Sequence, residues 1–124
     1  MEDSKEDKQD LQRQALEQIK AVYDDGFATI NGRDYVFTTA THKKRLKVFS
    51  YFTGVQEQLA REDLSFMGTK AFDDVMGTIE QIVTFEGSLL SKKPRHWDDY
   101  PEDFIVFVTT ALGVVSFPFL RGKM

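Results

Sequence analysis

The chain has 124 residues, a formal net charge of −4 and no cysteine. This length fits one ordinary domain, the lack of cysteine excludes a disulfide framework and thiolate chemistry, and the acidic balance argues against a protein that coats nucleic acid by charge. The charged first residues exclude a signal peptide, and the longest apolar run, residues 104–120, is interrupted by polar residues and short for a membrane span. We therefore expect a soluble cytoplasmic protein that does not enter a membrane.

The N-terminal part of the chain predicts a helix followed by a hairpin. Residues 1–9 are charged, and we predict a flexible acidic N-terminus ahead of a single domain over residues 10–124. Apolar residues recur with helical spacing over 10–23, and Gly26 follows as the left-handed residue that often ends a helix. Residues 27–37 place Asn-Gly between two β-prone runs, which is the strongest short signal for a two-residue hairpin. Two strands alone are marginal in water, so this hairpin must pack on other elements.

Three further helices are predicted from apolar periodicity, over about 41–60, 69–85 and 101–117. The last has a proline at its first position with acidic residues around it, and Pro118 is expected to end it. Its body is apolar on nearly every side, so periodicity alone does not separate helix from strand, and such a helix lies either inside the core or half-covered by a partner. The predicted fold class is α+β and mainly α, with a small N-terminal β-hairpin packed on a bundle of about four helices.

No catalytic constellation stands out among the side chains. The histidines are His42 and His96, and there is no glycine-rich phosphate loop. His96 with the adjacent Asp98 and Asp99 lacks the convergent spacing that a zinc site needs, so we interpret this stretch as a capping and packing loop. We therefore predict a protein that is not an enzyme and has no cofactor and no metal. A pocket lined by coupled carboxylates would revive the catalytic alternative.

Positive side chains gather at the predicted start of the second helix, where the backbone dipole already favours anions. They are Lys43, Lys44, Arg45 and Lys47. One interpretation is a solvated basic turn, and the other is a patch that binds carboxylates or phosphates of a partner. A second cluster, Lys92, Lys93 and Arg95, would extend this patch into one positive face if the fold brings the two together.

Two large aromatic side chains, Trp97 and Tyr100, flank a pair of aspartates just before the last helix. They either seal the core beneath the helix start or anchor a partner, since Trp and Tyr dominate interface energetics. The sequence leaves both interpretations open.

The order of elements follows a recognisable plan over residues 27–122. A hairpin, ATINGRDYVFTTAT, precedes a basic helix, HKKRLKVFSYF, a middle helix that ends in Phe-Glu-Gly, and the closing segment HWDDYPEDFIVFVTTALGVVSFPFLRG. This plan resembles the tail assembly chaperones of tailed bacteriophages. The helix over 10–23 is a departure from it.

The resemblance implies a non-enzymatic assembly chaperone that binds the helical tape-measure protein, the tail-tube subunits or both, in the host cytoplasm. It also implies self-association. On this hypothesis the apolar last helix supplies both core and a groove for a partner helix, while Lys43, Lys44, Arg45 and Lys47 steer the partner by charge. The residues expected in that groove are Phe104, Phe107, Val108, Ala111, Val114 and Val115, with Trp97 and Tyr100 as candidate anchors.

Two other functions fit the sequence. One is a virion structural protein or a small phage protein that binds a host factor. The other is a nucleic-acid-binding module that uses the sequence THKKRLK, whose binding would weaken steeply with salt. A virion protein would be present in purified particles, whereas a chaperone would be missing from them.

Overall fold

The computed structural model describes the backbone of residues 2–121 and the side chains of residues 13–121. Short 3-10 turns lie at Ser65–Gly68, Leu90–Lys92 and Pro101–Asp103. The predicted fold class, α+β and mainly α, is confirmed over the described residues. The elements in chain order are α1 (Glu2–Asp25), β1 (Phe27–Ile30), β2 (Arg33–Phe37), α2 (His42–Ala60), α3 (Lys70–Glu80), β3 (Val83–Phe85), β4 (Ser88–Leu89), α4 (His96–Asp99) and α5 (Phe104–Leu120).

The sheet consists of two consecutive hairpins. Its strand order is β1-β2-β3-β4, and every neighbouring pair is antiparallel. Each hairpin turns through two residues with left-handed backbone: φ is 51° at Asn31 and 80° at Gly32, and 52° at Glu86 and 83° at Gly87. This geometry matches the right-handed twist of the flanking strands. The predicted hairpin over 27–37 is therefore present. A second hairpin, which we did not predict from the sequence, extends the sheet to four strands.

The third helix is shorter than predicted. α3 ends at Glu80, so the helix expected over 69–85 is wrong at its C-terminal end, where Val83–Phe85 form β3. β3 pairs with β2 in the register Tyr35↔Phe85 and Phe37↔Val83. Val83 and Phe85 are buried in this position. Pairing and burial against distant residues thus outweigh the helical periodicity that local sequence carries.

The first helix is longer than predicted. α1 begins at Glu2, so residues 2–9, expected as a flexible tail, continue its backbone, whereas residue 1 lies outside the described residues. Glu, Lys and Gln are good helix formers, which explains why a polar stretch extends the helix. At the other end, Gly26 has a φ of 84° and donates its N–H to the carbonyl of Val22 at 2.8 Å. The predicted helix end at Gly26 is confirmed.

α5 is the central helix of the domain. It packs against α1, α2, α3 and β1, and ten of its residues are buried. Of the two positions that the sequence allowed for it, the centre of the core is the one observed. Pro118 lies inside α5 and does not end it, because Leu120 is buried and the ring of Phe119 stacks on Phe49 at 4.8 Å, which holds the last turn in place.

The stretch Pro101–Leu120 is long and apolar enough to cross a membrane by length and composition. In this protein 61% of the most apolar 18-residue stretch of this segment is buried inside the domain. The core helix of a globular domain has the same properties, and we derive no membrane role from them.

Substitutions of two glycines test the backbone conformation of the second hairpin and of α2. Gly87→Ala should lower the free energy of unfolding by about 1 kcal/mol, since a side chain at positive φ is strained. Gly54→Ala should raise it by about 0.5–1 kcal/mol, because Gly54 is exposed within α2 and a Cβ there meets no atom. Urea denaturation of both variants measures the two effects. Equal changes in both would contradict the assigned turn.

Candidate functional site

A buried polar network fixes the start of α5 on the first hairpin. Asp103 is fully buried and accepts hydrogen bonds from the Tyr35 hydroxyl at 2.6 Å and from Asn31 Nδ2 at 2.7 Å. Arg33 Nε lies 3.2 Å from Asp103 Oδ2, and the same guanidinium pairs with Glu102. Because these partners compensate the buried carboxylate, the network joins the hairpin to the first turn of α5.

His96 extends this network to α4. Its Nε2 lies 2.9 Å from the Tyr35 oxygen. The Tyr35 hydroxyl gives its single proton to Asp103, so His96 Nε2 carries a proton and donates it to Tyr35. Burial lowers the pKa of His96, while burial and the bond to Asp103 raise the pKa of Tyr35 well above its ordinary value. The chain of bonds from His96 to Asp103 touches none of the clefts described below, and we interpret it as structural.

The two aromatic candidates for partner anchors are engaged in the fold. Trp97 Nε1 donates to Glu80 Oε2 at 3.0 Å, and the indole stacks on Tyr35 with ring centres 6.1 Å apart. The guanidinium of Arg33 lies over the ring of Tyr100, with its Cζ atom 4.2 Å from the ring centre. Both side chains are half-buried. Of the two interpretations, sealing the core is the one that these contacts support.

The basic residues at the start of α2 divide into two groups. Thr41 caps the helix by accepting from the Lys44 N–H at 3.3 Å. Arg45 turns inward, donates to the Val115 carbonyl at 3.2 Å and lies 5.8 Å from the ring of Tyr23. The side chains of Lys43 and Lys47 are exposed, and that of Lys44 is half-buried. Arg45 is therefore part of the core boundary, and the lysines alone present charge to a partner.

The second basic cluster lies elsewhere. Lys93 Nζ is 5.6 Å from the centre of the Phe85 ring, which contacts His96 beside the N-terminal end of α5. Arg45 contacts the carbonyl of Val115, near the C-terminal end of the same helix. The two clusters thus sit at opposite ends of α5, and the single positive face that the sequence allowed does not form.

The sequence hypothesis placed six α5 residues in a groove for a partner helix, and the structure does not place them there. Five of them are core residues exposed by no more than 2%, namely Phe107, Val108, Ala111, Val114 and Val115. Phe104 is half-buried against Phe72 and Trp97. These six residues therefore pack in the core, and among them Val114 and Val115 also line a small cleft beside Arg45. The exposed large apolar side chains of α5 are Ile105 and Val106.

The apolar clefts of the molecule lie on either side of α1. The first, called the α1–α2 groove, has a volume of about 470 Å³. The second, called the α1–β1 groove, has a volume of about 340 Å³. The α1–α2 groove is lined by Ala15, Leu16, Ile19, Phe52, Gln56, Leu59, Ala60 and Leu120. The α1–β1 groove is lined by Ala15, Gln18, Ile19, Val22, Ala28, Thr29, Ile30, Val106, Thr109 and Thr110.

A smaller cleft of about 250 Å³ lies where the end of α1 meets the sheet, beside Tyr23, Thr38 and Arg45. It is more polar than the two grooves, but Arg45 already bonds to α5 there. Among the described residues, no three His, Asp or Glu side chains gather in a way that could hold a metal ion.

Sequence reasoning missed the grooves because it read their large side chains as core. Phe52 and Leu59 belong to the apolar stripe of α2, and Ile19 belongs to that of α1. The signal that was present is a small residue within the apolar stripe of α1, Ala15, and another at the end of α2, Ala60. Both are exposed and leave space beside larger neighbours.

The buried histidine predicts how stability depends on pH. Unfolded His96 binds a proton near pH 6.5, whereas burial lowers the pKa of folded His96, so the unfolded state takes up its proton first and the free energy of unfolding should fall as pH drops from 7 to 5.5. For one proton the slope is at most about 1.4 kcal/mol per pH unit. Urea denaturation across this range measures it.

The control for this prediction is His96→Gln, which keeps a donor toward Tyr35 and removes the titration. It should flatten the profile. Burial raises the pKa of Glu80, which works in the opposite direction, but Glu80 is present in both proteins and its contribution cancels in the comparison. Parallel profiles for the two proteins would show that His96 is not responsible.

Comparison of the chain with protein-family models, characterised proteins and solved structures finds no match. The side chains and clefts of this molecule therefore carry the functional proposal.

Proposed function

We propose that this protein is a non-enzymatic assembly chaperone of a tailed bacteriophage that binds an amphipathic helix of its partner in the α1–α2 groove. The observation that carries the proposal is the groove itself, an apolar cleft of about 470 Å³ open to solvent. The order of elements, which resembles that of tail assembly chaperones, indicates the class of partner: the helical tape-measure protein or the tail-tube subunits. Such a protein would act in the host cytoplasm.

The shape and chemistry of the groove suit a helix. Its walls are two helices, α1 with Leu16 and α2 with Phe52 and Leu59, and Leu120 of α5 closes its floor. A helix laid between two others buries the side chains at positions i, i+3, i+4 and i+7. The volume falls within the range of sites that enclose several apolar side chains.

The positive charge at the start of α2 would act while the partner approaches, before it enters the groove. The exposed Lys43 and Lys47 lie in the first turns of α2, whereas the groove begins at Phe52 further along the same helix. These lysines would raise the rate of encounter with an acidic partner and need not touch it in the complex. Nucleic-acid binding gains less support, because Arg45 is turned into the fold and the second basic cluster lies at the other end of α5.

Self-association, which the resemblance implies, has a candidate surface on the outer face of the sheet. Phe27 and Val36 are cross-strand partners there and are exposed by 41% and 44%. Thr84 and Leu89 continue the same row across β3 and β4. A second copy that covered this row would remove apolar surface from water without blocking the α1–α2 groove.

The groove can be tested with a matched pair of substitutions on α2. Ala60→Arg places a large cation in the groove without removing any core contact, because Ala60 is exposed. Thr53→Arg adds the same charge to an exposed position of α2 that does not line the groove. The partner is the long helical protein encoded beside this chain in its own genome, co-expressed and purified. We expect Ala60→Arg to weaken binding at least about tenfold in calorimetry, and Thr53→Arg to leave it unchanged.

Equal affinity of both variants would exclude the groove as the site. The chaperone role has a separate readout, since the protein should be missing from purified particles. Its presence there in amounts comparable to other tail proteins would favour the virion structural alternative.

A further inference from the structure

We propose that residues 13–25 of α1 are a displaceable cover over α5, and that the partner helix takes their place on α5. This inference rests on the proposed function and refines it: the partner helix enters the α1–α2 groove first and then replaces α1 as the helix packed on α5. The occupant is an amphipathic helix that repeats the apolar spacing of α1 and carries larger side chains at two of its positions.

α1 is lightly packed for a helix of its length. None of its described side chains, from residue 13 to 25, is buried, whereas α2, α3 and α5 each bury at least three. Leu16, Ile19, Val22 and Tyr23 are all half-buried. The ion pair between Lys20 and Asp24 is internal to the helix and does not hold α1 to the domain. Elements with few buried contacts open at the lowest free-energy cost.

Two side chains of α1 make close packing contacts with α5. Ile19 lies over Gly113, so closely that a Cβ on Gly113 would stand 2.5 Å from Ile19 Cδ1. Further along, Tyr23 packs on Phe117 with ring centres 5.0 Å apart. Gly113 is thus a notch in α5 that accepts one branched aliphatic side chain from a helix lying across it.

Among the side chains of residues 13–121, none fills the space on either flank of this contact. Ala15 and Ile19 line the α1–α2 groove on one side and the α1–β1 groove on the other, and Gln18 lines the second. A helix that keeps the aliphatic residue for the Gly113 notch, but has leucine at the places of Ala15 and Gln18, would fill both grooves. It would bury more apolar surface on α5 than α1 does, which is what displacement requires.

The connection to the sheet allows α1 to leave without disturbing β1. A single residue, Gly26, joins the two elements, and its φ of 84° is available to glycine at no steric cost. The Gly26 carbonyl is held from the sheet side by the N–H of Phe37 at 2.8 Å. Rotation about this residue would release α1 while the β1–β2 pairing stays intact.

A disulfide lock tests the proposal on the full chain, which has no cysteine of its own. A Cβ on Gly113 would lie 3.0 Å from Ile19 Cγ1 and 3.7 Å from Cγ2, so Ile19→Cys with Gly113→Cys places two Cβ atoms within disulfide reach. Oxidation then fixes α1 on α5, and reduction of the same protein releases it. The single variant Ile19→Cys, treated with the same oxidant, controls for oxidation.

The probe is a synthetic peptide with the sequence of residues 2–25, leucine at positions 15 and 18, and alanine at position 19, because the Cβ introduced by Gly113→Cys would stand 2.5 Å from the Cδ1 atom of an isoleucine there. We expect it to bind the unmodified protein and the reduced double variant, and to bind the oxidised double variant at least about tenfold more weakly. The peptide with the natural Ala15 and Gln18 should bind more weakly than the leucine peptide, because it gains nothing over the tethered α1. Equal binding to oxidised and reduced protein, or no binding to either, would overturn the proposal.

A second measurement needs neither variant nor peptide. Hydrogen exchange of the unmodified protein should show the amides of residues 14–23 exchanging at least about 100-fold faster than those of residues 107–115 in α5. Equal protection would mean that α1 does not open separately, and would overturn the proposal. A different result would contradict the proposed function, namely that the Ala60→Arg variant binds the natural partner as tightly as the unmodified protein does. The experiments therefore distinguish failure of the proposed function from failure of the displacement of α1.

Discussion

α5 constrains the whole fold, because ten of its residues are buried and need cover from other elements, whereas Ile105 and Val106 near its start stay exposed. The sheet, α2, α3 and α1 each pack against it. Its fully buried residues, among them Phe107 and Leu112, each contribute roughly 1.5–3 kcal/mol when removed from water. Three of the four covering layers bury side chains of their own in return. Residues 13–25 of α1 bury no side chain, and the two apolar grooves lie along the flanks of this helix.

The position of α5 depends in turn on Asp103. An acidic residue near a helix start usually bonds to the free N–H groups of its own first turn, but the side chain of Asp103 makes no capping bond. It accepts hydrogen bonds from Tyr35 and Asn31 of the hairpin instead. A buried carboxylate without these partners would be costly, so the network specifies how the sheet and α5 meet. The apolar contacts alone would tolerate several arrangements.

The sequence predicted the elements whose signals are local. The first hairpin follows from Asn31-Gly32, and the start of α2 follows from the Thr41 cap. The second hairpin was not predicted, because Glu86-Gly87 is a weaker turn signal than Asn-Gly. In addition, β3 forms only through pairing with β2, which is distant in the chain. The grooves escaped for a related reason: periodicity tells which face of a helix is apolar, but not how completely its neighbours cover that face. Five of the residues expected to line a groove on α5 are therefore core residues in the structure.

The turn at Asn31 also bears on how the protein ages. An asparagine that precedes glycine loses its side-chain amide more readily than asparagine in most other contexts, and here the amide of Asn31 is the donor that faces the buried Asp103 at 2.7 Å. Deamidation would replace this donor with a second carboxylate. Two carboxyl groups at that distance disfavour each other's ionised form, so the bond that Asn31 makes to Asp103 would be replaced by a repulsive contact. Stored material should therefore accumulate molecules in which the first hairpin is held less firmly to the start of α5.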